Sequence, residues 1–193
     1  MKQLILASSS RYRRELLGRL GLPFIAMAPH IDETPEPGEH AAALAARLAA
    51  AKAKKLGTPD AIVIGSDQAA SLDGELLEKP GSHGAALVQL EQCQGRTVVF
   101  HTAVAIYDSD RDRLEEHVDL TFVRFARRSR DELDRYLTAE PAYDCAGGFK
   151  VEGLGISLFE SVESKDPTAL IGLPLIWVAQ TLKAMQLDPL GPG

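Results

Sequence analysis

Apolar residues fall along this chain as short continuous runs separated by helical stripes, and their order predicts an α/β fold. The run Leu4-Ile5-Leu6-Ala7 stops at Ser8-Ser9-Ser10, after which Leu16, Leu17 and Leu20 recur at helical spacing. The start therefore reads as strand, tight loop and helix. Gly21-Leu22-Pro23 breaks that helix, and Phe24 to Met27 form a short strand ahead of the polar loop Ile31-Asp32-Glu33-Thr34-Pro35. From Glu39 to Leu56 an alanine-rich stretch, with Leu44 and Leu48 on its apolar stripe, predicts a helix stopped by Gly57. Ala61-Ile62-Val63-Ile64-Gly65 is a buried strand running into Ser66-Asp67-Gln68. That puts a carboxylate at the carboxyl end of a strand, where open α/β sheets gather their ligand chemistry.

In the second half, Asp73-Gly74 marks a hairpin to Leu76-Leu77, and Ser82 caps a helix reaching Cys93. Thr97 to Tyr107 and Leu114 to Phe125 form a long antiparallel hairpin, and Ser129 with Glu132 makes a capping box for a helix ending near Leu137. The stretch Tyr143-Asp144-Cys145-Ala146-Gly147-Gly148-Phe149-Lys150-Val151-Glu152-Gly153-Leu154-Gly155 is too irregular for a core strand. Its glycines and interspersed charges are the composition of a functional loop. Pro174 starts a last helix through Met185, and the tail Leu187 to Gly193 is expected to fray. No repeat or linker divides the chain, so residues 1–193 read as a single domain.

Charge narrows the partners. A net charge of -6 over 193 residues argues against broad electrostatic binding to nucleic acid or to an anionic membrane, so basic residues matter where they cluster. Arg11, Arg13 and Arg14 cluster at the first helix start, where free N–H groups, the positive end of the helix dipole and serine hydroxyls make an anion cradle. A plain cap by Ser10 with the arginines on a solvated face accounts for the same residues. Lys52, Lys54 and Lys55 suit the negative end of the second helix, and Lys79 is projected from a loop edge because Pro80 holds it extended. Cys93 and Cys145 form no Cys-x-x-Cys pair, and the N-terminal apolar run is shorter than the ~7 residues of a signal-peptide core. No run reaches the roughly 18 apolar residues of a membrane span, so a reduced cytoplasmic protein is expected.

Taken together, Ser8-Ser9-Ser10-Arg11-Tyr12-Arg13-Arg14, Ile31-Asp32-Glu33-Thr34, Gly65-Ser66-Asp67-Gln68, Lys79-Pro80, the Ala146 to Gly155 segment and Gly172-Leu173-Pro174-Leu175 resemble the Maf family of nucleoside triphosphate pyrophosphatases. The resemblance covers essentially the whole chain in order. It implies an inosine triphosphate pyrophosphatase-like fold, a two-lobed, mixed, twisted sheet flanked by helices around a central cleft. It also implies cleavage between the α and β phosphates of a small nucleotide with a divalent cation, Mg²⁺ or Mn²⁺. By the same resemblance Asp67 is the catalytic base, and Glu33 joins it in holding metal. Ser8, Ser10, Arg13, Lys52 and Lys79 engage the phosphates, and a homodimer is compatible.

Substrate choice follows from departures within the family. Tyr12, Gln68 and Glu152 stand where the branch acting on thymidine and uridine triphosphates carries Arg, Thr and Gln, and instead resemble the branch acting on 7-methyl-GTP. Methylation at N7 leaves positive charge on the purine, which a tyrosine face attracts by about 0.5 to 2 kcal/mol. Glu152 can accept from the guanine N1–H and N2 amino groups. A broader pyrophosphatase acting also on UTP, CTP or GTP, and a nucleotide-binding regulator of cell division, are the alternatives.

Overall fold

A computed structural model of the chain describes residues 2–143 and 145–191; Asp144 of the glycine-rich stretch and Pro192 and Gly193 of the tail lie outside the described residues. Seven strands form one mixed sheet: β1 (Gln3–Ala7), β2 (Ile25–Met27), β3 (Ala61–Leu72), β4 (Glu75–Leu77), β5 (Thr97–Asp108), β6 (Arg113–Phe125) and β7 (Phe159–Ser164). The order is β2-β1-β3-β5-β6-β7, with β4 on β3. β1 lies parallel to both β2 and β3, and every other pairing is antiparallel. Five helices pack on it: α1 (Arg11–Gly18), α2 (Ala41–Lys55), α3 (His83–Cys93), α4 (Arg130–Ala139) and α5 (Leu175–Ala184).

The expected elements are all present, including the Ser10 and Ser82 caps and the reciprocal capping box of Ser129 and Glu132. Three differences have physical causes. β3 does not end near Gly65, because its antiparallel pairing with β5 continues to Leu72, so Asp67 lies inside a long strand rather than at its carboxyl end. β7, a fully outlying edge strand, alternates too weakly to be read from FESVES. The first residues of the tail are tied back, with Leu187 N–H donating to Leu182 O at 2.9 Å and Asp188 pairing with Lys183 at 3.2 Å, while Leu190 stands exposed.

Two neighbours share one edge of β3 without meeting. β1 covers Ala61–Gly65, with Ala7 opposite Gly65, and β4 covers Ala70–Leu72. Residues 66–69 are left unpaired on that side, and the cleft opens there. Two core clusters flank it as lobes. In one, Leu16 and Leu17 of α1 and Val178 and Leu182 of α5 pack on Leu6, Ile62 and Ile64. In the other, Leu87 and Leu90 of α3 and Leu133 and Leu137 of α4 pack on Phe100, Val123 and Phe125.

On the opposite face of β3, α2 lies close because both surfaces are small. Ala41, Ala45, Ala49 and Ala53 meet Ala69, Ala103 and Ala105. A Cβ on Gly65 would fall 2.2 Å from Ala49 O and 2.6 Å from Ala53 N, so only glycine admits the helix at this distance. Gly65→Ala is therefore expected to lift α2 and cost on the order of 1–3 kcal/mol, as overpacking does. Thermal unfolding checks this, and an unchanged midpoint would show that the helix yields freely.

Candidate active site

The close seat of α2 places Lys52, on its sheet-facing side, beside Asp67. Lys52 Nζ lies 2.6 Å from Asp67 Oδ1 and 2.7 Å from Glu33 Oε1. The ammonium is 5% exposed and Asp67 9%, whereas Glu33 reaches in from its exposed loop. Such pairing offsets the cost of taking a charge out of water. Glu33 is pulled the other way: burial pushes its carboxyl up, but Lys52, Lys79 and Arg13 together hold it below its ordinary value.

The serine loop at the end of β1 is built from its own hydroxyls. Ser10 N–H donates to Ser8 Oγ at 3.1 Å, and Arg13 N–H donates to Ser10 Oγ at 3.3 Å, so both oxygens act as acceptors and each hydroxyl keeps its proton to donate. The plain cap and the anion cradle are thus compatible. One turn into α1, Arg13 donates from Nε to Gly172 O at 2.9 Å, which leaves its two terminal nitrogens as the fork for an anion. Burial lowers the Arg13 pKa, and Asp67 and Glu33 act against that.

Gly172, part of the Gly172-Leu173-Pro174-Leu175 motif, belongs to a wall assigned no role from sequence. Ser66 Oγ lies 2.7 Å from Ala103 O and 2.8 Å from Gly172 O, the carbonyl that Arg13 holds, so its one proton serves one of these two carbonyls. Gln68 Nε2 lies 2.8 Å from Thr102 Oγ1, 3.2 Å from Ala169 O and 3.0 Å from Leu170 O. Its amide nitrogen is therefore committed to the protein, and Gln68 shapes the cleft through the 169–172 wall. Behind the wall, buried Asp166 accepts from Thr168 N–H (2.8 Å), Thr168 Oγ1 (2.6 Å) and Ile176 N–H (2.7 Å), fixing it to the start of α5.

These walls enclose a cleft of about 540 Å³, and every residue assigned a site role from sequence lines it: Ser8, Ser10, Tyr12, Arg13, Glu33, Lys52, Asp67, Gln68, Lys79 and Glu152. Tyr12 is 39% exposed, an open ring at the entrance of α1. Glu152 comes from the glycine-rich segment, and burial, reinforced by the charge of Glu140, pushes its carboxyl up. Lys150 and Phe149 line the same cleft without having been assigned a role; both sit in the segment whose composition marked a functional loop.

A 7-methyl-GTP pyrophosphatase of Xanthomonas axonopodis pv. citri is 54% identical over 185 residues, covering 95% of this chain and 96% of its own. One of Burkholderia orbicola is 53% identical over 187 residues, covering 94% of this chain and 89% of its own. A solved HAM1 protein from Coxiella burnetii overlaps 66% of this chain and 75% of its own, at 16% identity and a TM-score of 0.48. The family model described as Maf-like protein matches residues 3–185, and with relatives this similar along nearly the whole length, the chain belongs to the Maf-like family.

Proposed function

We propose that this chain is a nucleoside triphosphate pyrophosphatase that hydrolyses 7-methyl-GTP to 7-methyl-GMP and pyrophosphate, keeping a modified nucleotide out of nucleic acid synthesis in the cytoplasm. One observation carries the reading: cationic groups from four segments (Arg13, Lys52, Lys79 and Lys150), two carboxylates on one ammonium, and the Tyr12 and Glu152 side chains all line a single cleft. The relatives named above, which share the full length, support the choice of substrate. Among the described residues no helix is long and apolar enough to cross a membrane, which is compatible with that location.

Phosphoryl transfer asks a protein mainly for positioning and charge neutralisation. Arg13 and Lys79 supply cations to the triphosphate, and the hydroxyls of Ser8 and Ser10 supply neutral donors. Asp67 holds and deprotonates the attacking water, the bond between the α and β phosphates breaks, and pyrophosphate leaves. An aspartate is a weak base at neutral pH, so orientation of that water accounts for much of its effect. Lys52 fixes the direction of Asp67 and Glu33 through one oxygen of each.

The donor set fits a divalent cation. Among the described residues no trio of His, Cys, Asp and Glu forms a closed cage, but Mg²⁺ is commonly held by one or two carboxylates completed by substrate phosphates. Asp67 and Glu33 are the residues that would hold it. When bound, Mg²⁺ or Mn²⁺ supplies neutralisation of the phosphate charge.

Asp67→Asn is expected to keep the fold and nucleotide binding while losing at least about a hundredfold in kcat, the low end for general-base catalysis. Pyrophosphate release measured alongside a melting curve checks it, and unchanged turnover would remove Asp67 from the reaction. Lys79→Ala should weaken triphosphate binding much more than monophosphate binding, because only the triphosphate extends the charge it neutralises. Lys79 is more diagnostic than Arg13, which also braces Gly172. Equal losses for both ligands would give Lys79 a structural role.

The base pocket has its own test. Glu152→Gln should depress kcat/KM for 7-methyl-GTP and GTP alike, by about 1.5–3 kcal/mol for a charged hydrogen bond. Tyr12→Leu should fall mainly on the methylated substrate, by about 0.5–2 kcal/mol. If the ratio of the two substrates is unchanged in Tyr12→Leu, or if the parent prefers UTP or dTTP, the pocket is misassigned and the broader pyrophosphatase reading replaces it.

A further inference from the structure

Glu152 occupies the corner of a tight turn, closed by Gly153 N–H donating to Lys150 O at 3.3 Å. Nothing in the turn itself dictates where it points. Its direction is set from α4. Tyr136, in the last turns of that helix, is 4% exposed, and its hydroxyl accepts from Lys150 N–H at 3.3 Å. Glu140, which caps the same helix, takes Leu154 N–H at 3.3 Å on Oε1 and Gly155 N–H at 3.1 Å on Oε2. Tyr136 OH lies 3.2 Å from Glu140 Oε2, so the phenol donates to the carboxylate while accepting from the turn. The two side chains thus grip the turn at its first residue and just beyond its last.

The surrounding glycines fit this grip. A Cβ on Gly153 would sit 1.9 Å from Glu140 Oε1, and one on Gly155 would sit 2.4 Å from Lys150 O. Neither residue has a φ in the left-handed region, so their requirement for glycine is one of space: the carboxylate and the turn backbone pass too close for any side chain. Burial pushes the Tyr136 phenol up, keeping it neutral and able to donate.

We propose that Tyr136 and Glu140 are positioning residues for base selection: touching no substrate, they clamp the Lys150–Gly153 turn so that Glu152 faces the base. The inference rests on Glu152 reading the guanine edge, as proposed above. It assigns the discrimination of the enzyme partly to the end of a helix that lies outside the cleft.

Kinetics with 7-methyl-GTP, GTP and UTP on Glu140→Gln, Tyr136→Phe, Glu152→Gln and the Glu140→Gln/Glu152→Gln double variant test this. Amide hydrogen exchange of the free protein is the second measurement. Glu140→Gln should raise KM for both guanine nucleotides roughly 3- to 30-fold, the worth of one or two hydrogen bonds, with kcat within about threefold and UTP little changed. Tyr136→Phe should do the same more weakly. In the Glu152→Gln background the Glu140→Gln effect should vanish, since the turn then has no carboxylate to aim. Exchange at Leu154 and Gly155 should accelerate at least about tenfold in Glu140→Gln while the amides of α4 stay protected. Gly153→Ala, which drives a methyl into Glu140, should reproduce the KM phenotype. Equal losses on guanine nucleotides and UTP, or losses that add to those of Glu152→Gln, would overturn the proposal by showing a general scaffold role. A silent Glu152→Gln with accelerated loop exchange in Glu140→Gln would overturn the base reading itself and, with it, the purpose of a clamp that nonetheless exists.

Discussion

A charge taken out of water is costly unless it is paired and hydrogen-bonded, and buried Lys52 meets that requirement with Asp67 at 2.6 Å and Glu33 at 2.7 Å. Much of the architecture is arranged to deliver those three groups to one point. The alanine face of α2 and the missing side chain at Gly65 let the helix sink onto β3. The pairing of β3 with β5 keeps Asp67 on a straight strand, where its backbone cannot swing. Loss of Asp67 would leave Lys52 with Glu33, whereas loss of the ammonium would leave two carboxylates facing each other uncompensated. The carboxylates that the reaction needs are therefore bound into the stability of the fold, and their orientation is set before a nucleotide arrives.

The strands, helices and caps were legible because their signals are local: Ser10, Ser82 and the pair Ser129 and Glu132 do at their helix starts what the residue types allow. The site residues were legible through resemblance to a family, since nothing in spacing alone brings Arg13, Glu33, Lys52, Asp67, Lys79 and Glu152 to one cleft. What stayed hidden was the support. Gly172 reads as a turn glycine, yet its carbonyl accepts from Arg13 and lies beside Ser66 Oγ. Glu140 reads as a solvated residue at a helix end, yet it holds two N–H groups of a distant loop. Such contacts span up to 159 residues of sequence, and no periodicity encodes them. Asp166 is the exception that a closer reading could have found. Asp-Pro-Thr ahead of Leu173-Pro174 has the composition of a side-chain-capped turn, and Asp166 does accept from Thr168 and from the first residues of α5.

The site divides by kind of support. Arg13, Lys52 and Asp67 stand on regular elements, which hold side chains to the tolerance that phosphoryl chemistry needs. Glu152 stands on a turn, and Gln68 acts through a wall of loop carbonyls. A phosphate chain is the same in every nucleotide, so the groups facing it gain from rigidity. The base is what differs, and of the residues assigned to it Glu152 alone stands off the strands and helices, Tyr12 belonging to α1 and Gln68 to β3.

On the proposed reading, the difference between a methylated and a plain guanine lies in charge more than in shape, and this limits what any one contact contributes. A tyrosine face over a cation supplies about 0.5 to 2 kcal/mol, which is a preference of roughly two- to thirtyfold. Stronger discrimination needs an anion near the ring, placed where water does not screen it. Glu152 supplies that anion from an exposed turn on the cleft, so the arriving base itself is what would exclude water from the contact. Glu140 adds to this in two opposing ways. Its charge makes ionisation of Glu152 costlier, while its hydrogen bonds to Leu154 N–H and Gly155 N–H hold the turn that carries Glu152. A cationic base reverses the first effect on arrival, since it compensates the crowded negative charge, whereas a neutral guanine leaves it in place. The paired carboxylates therefore favour the methylated nucleotide even where Glu140 makes no contact with it, and the tyrosine ring need supply only part of the preference.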